Sequence, residues 1–369
     1  MTTHITNLSE DDGIMKFTLD NVNVSIVNAI RRIILSEIDC IVFRTTPHSE
    51  NKATIHINTT RFNNEIIKQR LSCIPIHIDN IDIPYTDLLL ELDEINNSDI
   101  VKVITTEDFK IKNISTDKYF SKDELQSIFP PNNISGDYID FIRLRPKFSD
   151  DINGEQIKME SLFSIGKAKE DGSFNVVSCC AYGNTPDPQL ISEKKHIYEE
   201  KLISEQMSAE DIEYNLKDWD NLEAHRYFIQ NSYDFIIQSI GIYDNKVLVK
   251  KACDLMIFKI NTFKETIQKR SELITEINST IPNSYEIILE NEDYTLGKVI
   301  EYILYNKHYE NDHTLVFCGF RKPHPHINIS VIRISFKDAT NMPNILTIIN
   351  NCAEDAINIF IHIKQLFNY

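Results

Sequence analysis

Two stretches of this chain overlay without a gap at a separation of 270 residues, and this repeat limits the fold more than any other feature of the sequence. Residues 17–35 and 287–305 both run from an apolar strand through acidic and amide residues into an aliphatic helix. Leu19 lies over Leu289, Asp20 over Glu290 and Asn21 over Asn291. Ile26, Ile30, Ile33 and Ile34 lie over Leu296, Ile300, Ile303 and Leu304. Each copy is later followed by a long amphipathic helix. In a helix predicted over 342–367, Ile345, Ile349, Cys352, Ala356, Ile359, Ile363 and Leu366 follow a strict 4-3 spacing. Val249, Cys253, Met256, Ile260, Phe263 and Ile267 repeat that spacing, and Ile274 and Ile277 continue it beyond a polar Arg270. So narrow a stripe suits one helix lying along another at a shallow angle. Spacing alone also admits two unrelated amphipathic helices, each lying on its own sheet. A repeat of this length is a repeat of a domain, which excludes a solenoid of short units. The expected class is α+β, with two diverged copies of one unit and their long helices side by side.

The chain of 369 residues has room for more than the two copies. Strands are expected at 14–19, 41–43, 53–59, 138–144, 156–165, 227–240, 284–290, 314–320 and 327–336. A helix is expected over 63–73 and a charged helical stretch over 193–222, whereas 79–133 reads as polar and irregular. The resulting division gives residues 1–40 and 226–270 to a discontinuous first unit and 41–225 to an inserted α/β domain. Residues 271–283 form a join, and 284–369 the second unit.

Composition narrows the function. The apolar fraction of 42% and charged fraction of 25% are those of a soluble globular protein. A formal charge of −17 argues against a chain that wraps nucleic acid by itself. No apolar run approaches a membrane span, and the polar, acidic start is unlike a signal peptide. The seven cysteines include no C-x-x-C pair and read as reduced thiols, mostly buried as small hydrophobes. No phosphate-loop, dinucleotide, nucleophile-elbow or zincin motif is present. Asp218-Trp219-Asp220 is a lone pair of carboxylates in a charged helical stretch and reads as a solvated turn. His308, His313, His324 and His326 lack the further ligands and fixed frame of a zinc site. Cys179-Cys180 reads as structural. No catalytic residue, cofactor or metal is expected. On composition alone, Arg31-Arg32 in mid-helix reads as a solvated edge.

Residues 21–35, with Asn28-Ala29-Ile30-Arg31-Arg32 running into an aliphatic patch, resemble the first helix of the alpha-type assembly subunits of multisubunit RNA polymerases. Residues 61–75, with Glu65, Arg70-Leu71 and Ile74-Pro75, are similar to a second helix of that family. Gly154-Glu155-Gln156-Ile157 and Gly166-Lys167 are a weaker echo of its inserted domain. In the second copy, Glu292-Asp293-Tyr294-Thr295-Leu296-Gly297 resembles the small alpha-like subunit's E-D-H-T-L-G. Phe317-Cys318-Gly319-Phe320 and Pro323-His324-Pro325 resemble its F-x-G-Y and P-H-P. Tyr294 stands where the family has histidine, and the metal-binding cysteine cluster of some relatives has no equivalent here.

The resemblance implies a fusion of the third-largest and eleventh subunits of a polymerase II-type enzyme, the archaeal D and L subunits, as found in large cytoplasmic DNA viruses. Its fold would be two alpha-subunit-like dimerisation units paired within one chain through long C-terminal helices, plus the inserted domain. It implies a non-catalytic assembly platform, one copy per complex. Asn28, Arg31, Arg32 and Arg70 would dock two large catalytic subunits, beside a small platform subunit. It also implies no direct contact with nucleic acid or membrane, and a location in the host cytoplasm, a viral factory or the virion. A stand-alone dimerisation or adaptor protein that reuses this fold is the competing expectation.

Overall fold

The computed structural model describes residues 3–149 and 153–368. These form two compact units. The repeat unit comprises the chain up to Ile34, Cys179–Gln238 and everything from Asn245 onward; the insert unit comprises Leu35–Ser178 and Ser239–Asp244.

The repeat unit begins with an antiparallel hairpin, β1 (His4–Asp11) and β2 (Ile14–Asp20). Helix α1 (Val24–Ser36) follows. Asn21 turns the chain from strand to helix at φ 56°, a left-handed conformation that asparagine tolerates better than most residues. Asn23 then accepts a hydrogen bond from Ser25 N at 2.9 Å, satisfying one of the helix's open amides.

The insert unit is mixed helix and strand, with antiparallel pairing throughout. In chain order it holds β3 (Cys40–Val42), β4 (Ala53–Asn58), α2 (Asn64–Ser72), β5 (Leu88–Ile95), β6 (Lys102–Thr105), β7 (Lys110–Asn113), β8 (Lys118–Tyr119), α3 (Lys122–Ile128), β9 (Asp140–Leu144), β10 (Gln156–Leu162) and β11 (Ser164–Gly166). Its main sheet runs β4-β10-β5-β7-β8, with β6-β9 and β11-β3 as separate ribbons. The stretch 79–133, expected to be irregular, supplies the centre of that sheet. Leu88, Leu90 and Leu92 of β5 alternate into the core, while Glu91 and Asp93 face outward. Phe43 packs on Phe163 with ring centroids 4.9 Å apart, and Phe109 lies edge-on to Phe129 and Phe141 at 5.6 and 5.3 Å.

The chain returns to the repeat unit through β12 (Val177–Pro186), helices α4 (Pro188–Ser204) and α5 (Ala209–Asn221), β13 (Phe228–Ser239) and α6 (Asn245–Lys269). The second copy follows: β14 (Ile274–Ile277), β15 (Ser284–Glu290), α7 (Tyr294–Leu304), a π-helical stretch at Tyr305–Asn311, β16 (Leu315–Arg321), β17 (Ile329–Phe336) and α8 (Met342–Leu366). One sheet is ordered β1-β2-β13-β12 and the other β14-β15-β17-β16, so the two copies share one topology. They share backbone detail as well. Asn291 sits at φ 57° where Asn21 sits at 56°, and Asn283 at 51° where Gly13 sits at 72°.

Three expectations are corrected here. An insert reaching residue 225 is too long, because β12 pairs into the first copy's sheet and residues 179–225 belong to the repeat unit. The join at 271–283 is not a bare linker. Ile274 and Ile277 do not extend the helical stripe but pair with Ile287 and Ser284, making β14 the counterpart of β1. The 4-3 stripe on α8 fails towards its end, where Ile359 and Leu366 are only half-buried and Phe360 and Phe367 are in the core.

The α6 positions Val249, Cys253, Met256, Ile260, Phe263 and Ile267 are all buried, and so are Leu248 and Ala252 beside them. On α8, Ile345, Ile349, Cys352, Ala356 and Ile363 are buried, together with Ala353, Ile357 and Phe360. The apolar face is therefore a broad stripe of period 3.6, not a 3.5 seam. A second row is needed because α8 touches more than α6. Phe367, just past its end, lies edge-on to Phe17 of β2 at 5.1 Å, and Phe17 stacks on Phe235 of β13 at 4.8 Å. Replacing Phe360 by Ala should cost ~3–5 kcal/mol, whereas Ile359→Ala, at a half-buried position, should cost about 1 kcal/mol. Equilibrium urea unfolding of the two variants checks the order. Equal losses would restore the narrow stripe.

Candidate assembly surface

Helix α1 carries Asn28, Arg31 and Arg32 one turn apart, all three half-buried. The two arginines have different partners. Arg32 reaches the start of α7: its Nη2 donates to Asp293 Oδ2 at 2.6 Å and its Nε to Thr295 Oγ1 at 2.8 Å. Asp293 is also the N-cap of α7, where its Oδ1 accepts from Thr295 N at 2.8 Å. One carboxylate thus satisfies a helix terminus and a guanidinium together, and the positive end of α7 favours its charge. Beside it, Lys259 of α6 donates to both oxygens of Glu292, each at 3.1 Å. The acidic pair that opens the second copy's motif is therefore gripped by two cations of the first copy. Sequence reasoning assigned Arg32 to an outside partner; the structure gives it an inside one.

Arg31 instead donates to the side-chain oxygen Oδ1 of Asn28, through Nε at 3.2 Å and Nη2 at 3.0 Å. Among the described residues it makes no ion pair, and its charge opposes the rise that burial imposes on the Cys180 thiol, which is pushed up to about 12. Arg70 lies in the insert unit. Its Nε and Nη2 donate to the main-chain oxygens of Phe141 and Asp140, both at 2.6 Å, and its guanidinium lies 5.8 Å from the Phe62 ring. Those bonds clamp α2 to β9, a fold-holding role that the sequence reading did not foresee.

In the second copy, Thr295, Leu296 and Gly297 are buried in the first turn of α7. A side chain at Gly297 would run into the Phe320 ring, so the glycine of one motif exists to admit the phenylalanine of the other. Tyr294 packs edge-on against the same ring at 5.2 Å, and Lys298 Nζ lies 5.9 Å from its centroid. Pro323, His324 and Pro325 form an exposed turn between β16 and β17, where His324 Nδ1 accepts from His326 N at 3.1 Å. No three His, Cys, Asp or Glu side chains among the described residues converge into a metal-binding group. Burial raises the Cys318, Cys352 and Cys253 thiols, which keeps them protonated and unreactive. No helix among the described residues is long and apolar enough to cross a membrane.

Comparison with protein families matches the RNA polymerase Rpb3/Rpb11 dimerisation domain twice, over residues 16–260 and again over 284–366. The chain belongs to that family. Comparison with curated proteins returned no match. The first match spans the first copy with its insert, and the second covers β15 to α8. This is an assembly-type RNA polymerase subunit, and other polymerase subunits are its partners.

The Arg32–Asp293 pair, a quarter to a third exposed, contributes less than a buried one. A double-mutant cycle of Arg32→Ala with Asp293→Asn removes the charge but keeps a capping residue. The coupling expected is about 0.5–1.5 kcal/mol. A coupling of zero in urea titrations would reduce the contact to a solvated edge.

Proposed function

We propose that this chain is the non-catalytic assembly platform of a multisubunit DNA-directed RNA polymerase. Its two alpha-like halves do within one polypeptide what the third-largest and eleventh subunits do as a pair. The observation that carries this reading is the seating of the second copy: α8 lies along α6, while Arg32 and Lys259 hold Glu292 and Asp293. Joining the halves replaces a bimolecular step by an intramolecular one, governed by effective concentration. The platform docks two large catalytic subunits and a small platform subunit, one copy per complex, and carries no cofactor of its own. We assign the docking contact on α1 to Arg31 and Asn28, since Arg32 is engaged within the chain. Arg31 has a neutral partner that a carboxylate of a large subunit would displace or join. The charge of −17 supports a place away from nucleic acid. The fused arrangement is similar to that of large cytoplasmic DNA viruses, and on that likeness we assign the chain to a viral enzyme in the host cytoplasm, a viral factory or the virion.

Copurification decides between this reading and a stand-alone adaptor. The platform brings down two chains much larger than itself, whereas an adaptor does not. Arg31→Ala should leave the melting temperature near that of the parent and weaken recruitment of the large chains by ~2–5 kcal/mol. Normal recruitment by the variant would remove Arg31 from the contact.

The linkage between the halves is open to a second test. A cut near Thr280 falls in the β14–β15 turn, so strand pairing as well as helix packing would bridge the break. A cut before Ser271 leaves no strand pairing between the copies among the described residues. Residues 1–270 and 271–369, produced as separate chains, should co-elute on a sizing column at micromolar concentration. Fragments that elute separately would mean that the peptide link holds the halves together.

A further inference from the structure

In the insert unit, a cavity of about 500 Å³ opens between the start of α2 and strand β9. Arg61, Arg70, Arg143 and Arg145 line it, with Asp140 as the single carboxylate among the described residues of its wall. In a chain with 55 acidic and 38 basic residues, four arginines to one acid is a local reversal of sign. The reversal survives the internal pairing. Arg143 holds Asp140 at 2.7 Å, and Arg145 holds the buried Glu155 at 2.5 Å. Arg70 donates to main-chain oxygens, which leaves its charge uncompensated. Arg61 is exposed and makes no ion pair among the described residues. The cavity also has an apolar side, formed by Phe62, Val101 and Ile142. Phe62 is 38% and Val101 52% exposed, and Val103 nearby is 45% exposed. Large side chains left open beside unspent guanidinium groups have the composition of an interface core with a charged rim.

We propose that this cavity binds an acidic segment of another protein chain, with one aromatic or aliphatic side chain seated against Phe62 and Val101 and flanking carboxylates on Arg61 and Arg70. Arginine forks take carboxylates bidentately and stay charged when partly desolvated, which fixes the segment's register. A peptide suits this surface better than a nucleic acid. Phe62 and Val101 are one aromatic and one aliphatic side chain rather than a row of aromatics on which bases could stack, and the positive patch is too short for a phosphate track. The acidic remainder of the chain repels a long polyanion over a Debye length, whereas a short segment meets only the cavity. The inference concerns the insert unit alone, and its test needs no other polymerase subunit.

The test uses the full chain and a fluorescein-labelled peptide, Asp-Glu-Asp-Phe-Glu-Asp-Leu-Glu, followed by fluorescence anisotropy. Saturable binding should weaken at least about tenfold in Arg61→Glu and again in Phe62→Ala. A peptide with lysine in place of each acid should not bind. Melting curves accompany each variant, and Arg61→Ala serves if Arg61→Glu fails to fold, since it removes the charge without adding one. Absence of peptide binding, or binding unchanged in the variants, would overturn the proposal. So would a single-stranded oligothymidylate that binds more tightly than the peptide and is lost in the same variants, because the cavity would then take phosphate.

Discussion

Neither copy of the repeat can cover its own apolar surface. A four-stranded sheet with one short and one long helix leaves an apolar helix face that only another element can bury. Here the long helices solve the problem for each other. Ile260 and Met256 on α6 and Ala356 and Cys352 on α8 are excluded from water, and the end of α8 places Phe367 against Phe17 of the other copy's sheet. Each fully buried aliphatic gains at most ~1.5–3 kcal/mol, an upper estimate because an unfolded chain already hides some area. A dozen such positions on two helices outweigh any ion pair in the unit. The repeat unit is thus held by non-directional burial, with polar contacts deciding the details.

Those details are asymmetric although the skeleton is not. Shifting α6 by 96 positions lays Val249, Cys253, Met256, Ile260 and Ile267 on Ile345, Ile349, Cys352, Ala356 and Ile363. The same shift carries Asp254 onto Asn350 and Gln268 onto Lys364. Lys364 donates to Asp254 at 2.6 Å, and its counterpart is a weak contact of 3.4 Å between the amides of Gln268 and Asn350. Lys264 with Glu354 has two phenylalanines, Phe360 and Phe258, as its counterpart. On the short helices, Arg32 with Asp293 corresponds to Tyr302 with Asn23. Exposed pairs add little to stability, but a copy paired with its own kind would lose every one of them. Apolar matching makes the copies stick, and charge selects unlike over like.

The sequence was most legible where the repeat constrained it. The strand–turn–helix element could be read twice because its aliphatic spacing and its asparagine turn recur, and the structure gives both asparagines the same backbone conformation. Strand β14 was missed because Ile274 and Ile277 continue the helical spacing by coincidence; carrying the 270-residue offset back to β1 would have found it. The Leu88, Leu90, Leu92 alternation of β5 was hidden by the extra Leu89, which reads as a continuous apolar run. Ile359 was preferred to Phe360 because a 3.5 period was imposed on a helix with a second face to bury. The partners of Arg32 and Arg70 were not legible at all. A guanidinium on a helix looks the same in sequence whether it meets a distant carboxylate, a carbonyl or solvent.

The positions of the insertions follow from the same physics. The first copy accepts two, one after α1 and one between β12 and β13, where the second copy has the π-helical stretch and a short turn. Both sites lie at ends of paired elements, so no ladder hydrogen bond is broken. The loop-closure cost of added chain grows only as its logarithm, and it falls further when the insertion holds its own ends together. The larger insertion does so: Lys169 N donates to Ser36 O at 2.8 Å, Ile240 N to Val176 O at 3.2 Å, and the Tyr243 hydroxyl to Asp39 O at 2.7 Å. The insert unit thus has its own phenylalanine core and a base closed by those bonds.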